Sequence, residues 1–390
     1  RAAKLFALLT FILFMTMLTF QLINERFWLH DLEVMYSAAD SLIHGKPVYG
    51  NPFGLNTGFY KYSPFTLFFF VPYALLPFKA AGVIHFIATL FCAILTIPLL
   101  EQLVRKYLFN HKKKYYLTLF VMLIAILIHL IRDLHLGNIN VILVFLMTLS
   151  LKFLLESKHI KFGLVMAIVI MTKPFFIVFV LPLLLHKKYK EILSLAGAGT
   201  GYVLISLIVI GLPSSIDMYF DWFAAMLDHN TYLFSNNTIF FIINRYTGVL
   251  IGKEYSFLLL GIIAVVSTIY FWLLIRKTKG NNNGALMAHI FMLIAVIPSV
   301  FITDTEHFIL SLPLIAIIVQ YFSIKKRFLW IPLFAFIIFL YGGNSTDMMG
   351  DELNEYYKRM GMLGIGNLTI IATVIFLYTK NRKAWDGEEA

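Results

Sequence analysis

Charge is scarce in this chain of 390 residues: 14% are Asp, Glu, Lys or Arg, against 60% apolar. Soluble globular domains carry about 25% charged residues, so that class is excluded. Cysteine is scarcer still. Cys92 stands alone inside an apolar run, which excludes a disulfide framework and a cysteine metal site. The sequence has no glycine-rich phosphate loop, no soluble nucleotide-binding stretch, no low-complexity linker and no evident internal repeat. It also lacks a DxD-type carboxylate pair, and His135 and His307 lack metal-ligand spacing, so no metal and no cofactor are expected.

What is present is apolar length. Runs of about 20 apolar residues recur along the chain, and the mean hydropathy is +0.81. This predicts an all-α, polytopic transmembrane helical bundle forming one membrane domain over 1–390. The spans fall near 5–24, 80–100, 115–131, 141–155, 192–211, 256–275, 285–302, 308–323, 328–341 and 362–378, about ten full crossings. The first run lacks a small-residue cleavage site and is long enough to span, so it reads as a retained helix rather than a signal peptide. The chain starts at Arg1 without a methionine, so residues are expected to precede it.

Two stretches break the pattern. Pro64, Pro72 and Pro77 interrupt 65–78, which reads as interfacial or re-entrant. Residues 162–185 are divided at Thr172-Lys173-Pro174. Proline disfavours helix at the residue before it, so the stretch reads as a broken hairpin with Lys173-Pro174 at its apex.

The net charge of +11 would suggest nucleic acid in a soluble protein. Here most of the 32 lysines and arginines fall in short loops of one parity, and most of the 21 acids fall in the others. The basic loops mark the cytoplasmic side, with both termini there. The partners expected are membrane lipids, not nucleic acid. Every long polar loop, 25–63, 132–140, 212–254, 303–307 and 342–361, then lies outside, and any chemistry with them.

The loop 25–78 carries the leading candidate. Asp31 stands at the membrane boundary, ahead of an amphipathic helix built on Val34, Ala38, Leu42 and Ile43 and closed by Gly45 and Pro47. The other outer polar residues are Glu33, Arg132, Asp133, His135, Asn138, Asn140, Lys173, Asn236, Asn237, Arg245, Asp304, Glu306 and His307. Cations stabilise a departing phosphate and a carboxylate deprotonates a hydroxyl, so this mixture suits an anionic lipid phosphate and a polyhydroxy acceptor. Each residue also has a plain alternative. Lys173 could snorkel from a helix end, Asn138 and Asn140 could cap a turn, Arg245 could anchor at the interface, and His307 could be a neutral helix-end histidine.

The order of several short motifs resembles a known family. These are Asp31 after the first span, Tyr36, Ala38-Ala39, Leu42, Gly45 and Val48-Tyr49, then Tyr60-Lys61-Tyr62-Ser63-Pro64 and Leu75-Leu76-Pro77. Gly137-Asn138-Ile139-Asn140, Thr172-Lys173-Pro174-Phe175 with Leu181-Pro182-Leu183-Leu184, Asn236-Asn237-Thr238 followed by Arg245, and Asp304-Thr305-Glu306-His307 come next. Together they are similar to the bacterial membrane glycosyltransferases of the GT-C superfamily, above all glycosyltransferase family 87, the polyprenyl-phosphate-mannose-dependent mannosyltransferases. Asn138 and Asn237 each stand where that family has glutamine, and the late loop has one histidine where relatives often show two.

The resemblance implies a GT-C helical bundle with a cavity on the outer face, in a bacterial plasma membrane. It implies transfer of a monosaccharide, mannose above all, from a polyprenyl-phosphate donor to a hydroxyl of a lipid, glycan or protein acceptor. In that scheme Asp31 is the general base. Lys173, Arg245 and His307 bind the donor phosphate, and Asn138, Asn140, Asn236, Asn237, Tyr62 and His135 bind substrate. Two other classes share the bundle: a transporter or flippase of polyprenyl-linked lipids, and a structural subunit of an envelope complex.

Overall fold

The apolar runs become helices because a backbone in lipid must satisfy its own hydrogen bonds. The computed structural model describes all residues except 1, 55–57, 233–236, 277–281, 301–303, 326–330, 344 and 381–390. Helix α1 (Ala2–Ile23) leads to α2 (His30–Ile43), the amphipathic helix expected behind the first span. A two-stranded hairpin, β1 (Pro52–Phe53) and β2 (Gly58–Phe59), follows with Pro52 opposite Phe59. The proline-broken stretch forms two single turns, α3 (Pro64–Leu67) and α4 (Val71–Ala74), before the long α5 (Phe78–Leu103).

The third span is bent. Helices α6 (Leu117–Ala125) and α7 (Leu127–Leu136) meet at 59° where Ile126 leaves the helical region at φ −105°, ψ 7°. Helix α8 (Asn140–Leu155) and α9 (His159–Thr172) come next. The chain then breaks at Lys173, runs through a 3₁₀ turn (Pro174–Phe179) into α10 (Val180–Leu185), and turns into α11 (Tyr189–Ile210). His159 Nδ1 lies 2.9 Å from Glu191 Oε1, so the two flanks of the 162–185 stretch sit side by side.

Residues 212–254 were expected as an outer loop. They hold two helices instead, α12 (Leu212–Tyr232) and α13 (Ile239–Thr247). Both are amphipathic, so their apolar residues did not form the continuous run that marks a span. Helices α14 (Ser256–Arg276) and α15 (Asn282–Val300) follow, and a 3₁₀ segment (Thr305–Ser311) leads into α16 (Leu312–Lys325). The chain closes with α17 (Ile331–Gly342), α18 (Thr346–Met349), α19 (Asp351–Arg359) and α20 (Met362–Lys380).

Seven of the described helices are long and apolar enough to cross a membrane, or up to eight if the bent pair is one span. The sequence suggested about ten. Several apolar runs, such as α8 and α9, are shorter helices than a straight crossing needs. The protein is an integral membrane helical bundle.

Its centre is α15, 94% buried, with the run Thr305–Lys325 that contains α16 at 83%, while α11 is only 11% buried. Asn367 of α20 ties that centre together. Its Nδ2 donates to Ala295 O at 2.9 Å and to Ser299 Oγ at 2.8 Å, while its Oδ1 accepts from Ser311 Oγ. Buried in apolar surroundings, an amide with so many partners fixes helix register.

Candidate active site

Two loops and two helix starts build the site. Helix α2 begins at Leu29, a buried residue with left-handed backbone (φ 56°, ψ 32°). Such strain costs a branched residue of order 1–3 kcal/mol and is held by its surroundings. Here Leu29 N donates to His135 O at 3.1 Å. Asp31 therefore lies in the first turn of α2, where the helix dipole favours a carboxylate.

The turn between α7 and α8 comes to meet it. Gly137 closes α7 with φ +67°, and a Cβ there would stand 2.7 Å from Leu32 Cβ. Only glycine allows that close approach. The next residue, Asn138, then reaches Asp31: its Nδ2 donates to Asp31 Oδ2 at 2.7 Å. Asn138 Oδ1 accepts from Ile139 N at 2.7 Å, so the amide cannot be turned over without losing both bonds.

Asn140 does the opposite work. Its Nδ2 donates to Asp133 Oδ1 at 2.9 Å, and its Oδ1 accepts from Lys173 Nζ at 2.5 Å. Asp133 is fully buried, and its second oxygen accepts from Val141 N at 3.0 Å, capping α8. The two asparagines, two positions apart, thus hold different groups: Asn138 the Asp31 carboxylate, Asn140 both Asp133 and the Lys173 ammonium.

Lys173 is reachable because α9 stops there. Its ammonium also lies 3.1 Å from His307 Nε2, which brings the 303–307 loop into the cluster. An ammonium only donates, so Nε2 accepts and the imidazole proton sits on Nδ1, facing Glu306 Oε1 at 3.9 Å. Glu306 is buried and accepts from Arg132 Nε at 3.4 Å. The backbone of this loop is anchored by the buried His129, whose Nδ1 is 2.6 Å from Thr305 O.

Lys61 completes the electrostatics. Enclosure pulls its ammonium below the usual lysine range, while the negative charges of Asp31, Asp304 and Glu306 push it back. The same enclosure raises the Asp31 carboxyl above the usual carboxylate range. Lys61 is the strongest influence opposing that rise, with Lys173 and the Asn138 hydrogen bond behind it. Tyr62, buried next to Lys61, has its phenol pushed up by burial, then by the charge of Asp31.

A cation could find ligands here. Asp304, Glu306 and His307 can each offer an atom, all within 4.8 Å of one another. Spacing alone did not mark this trio, because its members are near neighbours in the chain brought together by a 3₁₀ turn. With Lys173 donating to Nε2, His307 keeps its proton on Nδ1 and has no lone pair left for a metal.

The structure thus gathers Asp31, Asn138, Asn140, Lys173 and His307 into one hydrogen-bonded array, with Tyr62 beside it. Arg245 and His135 are placed elsewhere. Arg245, expected at the donor phosphate, is exposed in the last turn of α13, and its Nη2 lies 3.7 Å from Met360 Sδ. Among the described residues no hydrogen bond joins it to the array, because α13 turns that face toward the α19–α20 connection. His135, expected to bind substrate, lies 3.0 Å from Gln21 Nε2 through Nδ1 and packs edge-on against Trp28, bracing α1 against the start of α2. Asn237 packs its backbone against Gly364 of α20. Asn236 lies outside the described residues.

Lys61, Asp133, Arg132 and Glu306 carry parts of the array that received no role from the sequence. Lys61 had a signal, its place between two tyrosines ahead of Ser63-Pro64. Asp133 had a weaker one, seven residues before Asn140.

With this geometry in place, comparison with known proteins gives one family. The family model described as Glycosyltransferase family 87 matches residues 59–300. No curated protein sequence matches the chain.

Proposed function

This chain belongs to glycosyltransferase family 87, and from that premise we propose an inverting transferase of lipid-linked sugar. The donor is a polyprenyl-phosphate monosaccharide, with mannose the sugar the sequence resemblance implies. The acceptor is a hydroxyl of a lipid, glycan or protein on the extracytoplasmic face. The observation that carries this reading is the turn 138–140, which holds Asp31 through one asparagine and Lys173 through the next.

The chemistry is a single displacement. Asp31 takes the proton of the acceptor hydroxyl. The hydroxyl oxygen forms its bond to the anomeric carbon from the face opposite the phosphate. The bond from that carbon to the phosphate oxygen breaks, and its electron pair leaves with the polyprenyl phosphate. Lys173 and Lys61 hold the departing charge as cations preset in a partly enclosed site, with the Nδ1–H of His307 as a neutral donor beside them. Attack from the opposite face inverts the anomeric configuration.

Asn138 and Asn140 act in this reading as orienting groups, and Arg245 is left outside the phosphate cradle. Tyr62 and Asp304 remain at hand for sugar hydroxyls.

The test is incubation of the purified protein with labelled polyprenyl-phosphate mannose and a membrane lipid extract. Expected is a labelled product whose anomeric configuration is opposite to the donor's. Retention of configuration, or movement of the donor lipid across a bilayer without transfer, overturns the proposal.

A further inference from the structure

At the end of the bundle opposite Asp31, helices α16, α17 and α20 enclose an apolar pocket of about 300 Å³. Its position follows from chain direction. Helix α16 leaves the site segment at Leu312 and reaches Lys325 about 20 Å further along its axis. Helix α20 starts at Met362, beside Asn237, and ends at Lys380. The pocket is lined by the late residues of both, among them Phe322 and Phe376, and by Phe334 of α17.

The lining says what kind of molecule fits. Thr369 and Thr373 contribute hydroxyls, but each donates to its own helix: Thr369 Oγ1 to Ile365 O at 2.8 Å, Thr373 Oγ1 to Thr369 O at 2.7 Å. Those two hydroxyls have spent their protons on the backbone, so they offer a polar ligand no donor in the pocket wall. The volume is that of a small ligand site. Two of the three helices, α16 and α20, are candidate membrane spans, so the surroundings are hydrocarbon.

The mouth is cationic. Lys380 lines the pocket and rests its ammonium 5.5 Å from the Phe376 ring centre. Lys325 stands one turn beyond Phe322 on α16. An apolar slot with the Lys380 ammonium in its wall, and a second lysine at the end of the neighbouring helix, matches an acyl chain joined to a phosphate.

We propose that this pocket seats one acyl chain of an anionic phospholipid from the leaflet opposite the site, with its headgroup phosphate at Lys380 and Lys325. The seat fixes α17 against α16 and α20, and is independent of the sugar-transfer reading.

Native mass spectrometry of the full chain, titrated with dioleoyl phosphatidylglycerol or dioleoyl phosphatidylcholine, tests it. The unmodified protein is expected to retain one phosphatidylglycerol in preference to phosphatidylcholine. Ala372→Trp, which fills the slot, should lose the retained lipid. Lys380→Gln, at an exposed position, should keep a lipid but lose about fivefold of the headgroup preference, the worth of one lysine near an anionic lipid. Equal retention of the two lipids by the unmodified protein overturns the proposal. So does unchanged retention in Ala372→Trp, or an unchanged preference in Lys380→Gln, or a lipid-free dimer covering the face.

Discussion

The side-chain amide of Asn138 donates to the Asp31 carboxylate at 2.7 Å, across 107 positions of sequence. The bond joins the first turn of α2 to the turn before α8, and places the acid beside the asparagine that holds Lys173. The amide cannot serve a protonated acid and a carboxylate equally. It donates, so it favours the ionised form that a base needs.

Asp31→Asn should abolish sugar transfer while leaving the fold and donor binding intact. The asparagine is isosteric but cannot take the acceptor proton. Product formation and donor affinity, measured side by side, check this. Retained turnover would remove Asp31 from the chemistry.

The rate should fall as pH drops, because Asp31 must be ionised and burial holds its carboxyl above the usual range. Lys61 is the largest influence pulling it back down. In Lys61→Met that pull is gone, so the acidic limb of kcat against pH should move to higher pH. A limb that stays in place would separate the two residues. The shift, rather than the absolute rate, is the readout, since in the proposed reaction Lys61 also holds the departing phosphate.

Lys173→Ala should lower donor affinity and turnover by about 10²–10³-fold, the range for losing one preset charge-stabilising group. Lys173→Arg should not restore it. The ammonium fits between Asn140 Oδ1 at 2.5 Å and His307 Nε2 at 3.1 Å, and the flat guanidinium fork is a different shape. Steady-state kinetics on both variants decide it; full activity in the arginine variant would make Lys173 a simple charge.

Asp133→Asn should destabilise the protein by about 1–3 kcal/mol, the cost of a buried donor left unpaired. The carboxylate accepts from Asn140 Nδ2 and Val141 N; an asparagine can accept only one of them with its single oxygen. The thermal midpoint in detergent reports the loss. Donor affinity should fall with it, since Asn140 is then free to turn its oxygen away from Lys173. A stability loss with unchanged donor affinity would limit Asp133 to capping α8.

Gly137→Ala should cost both stability and turnover. The added methyl would stand 2.7 Å from Leu32 Cβ, at a backbone angle of φ +67°. Pushing the turn away from α2 lengthens the Asn138–Asp31 bond, so the acidic limb should also move up. Thermal midpoint and pH profile together test this. An unmoved limb would mean the turn and α2 shift as one.

Much of this was written in the sequence. Long apolar runs dictate membrane helices because a lipid-exposed backbone has no other way to pair its N–H and C=O groups. Proline after Lys173 dictates the break that frees that side chain, since proline's ring excludes helix at the residue before it. The order of short motifs pointed to the family, and Asp31, Asn138, Asn140, Lys173 and His307 were all named from it. Other features depend on relations the linear chain does not carry. The helices in 212–254 were missed because they are amphipathic, so polar residues interrupt their apolar ones along the chain. The exposed place of Arg245 and the bracing role of His135 depend on which way α13 and α7 turn when packed. The split of labour between Asn138 and Asn140 is decided by what each amide meets, Asp31 in one case and Asp133 with Lys173 in the other. The sequence determined which groups could do chemistry; tertiary packing decided which of them meet, because a hydrogen bond is made only within about 3 Å.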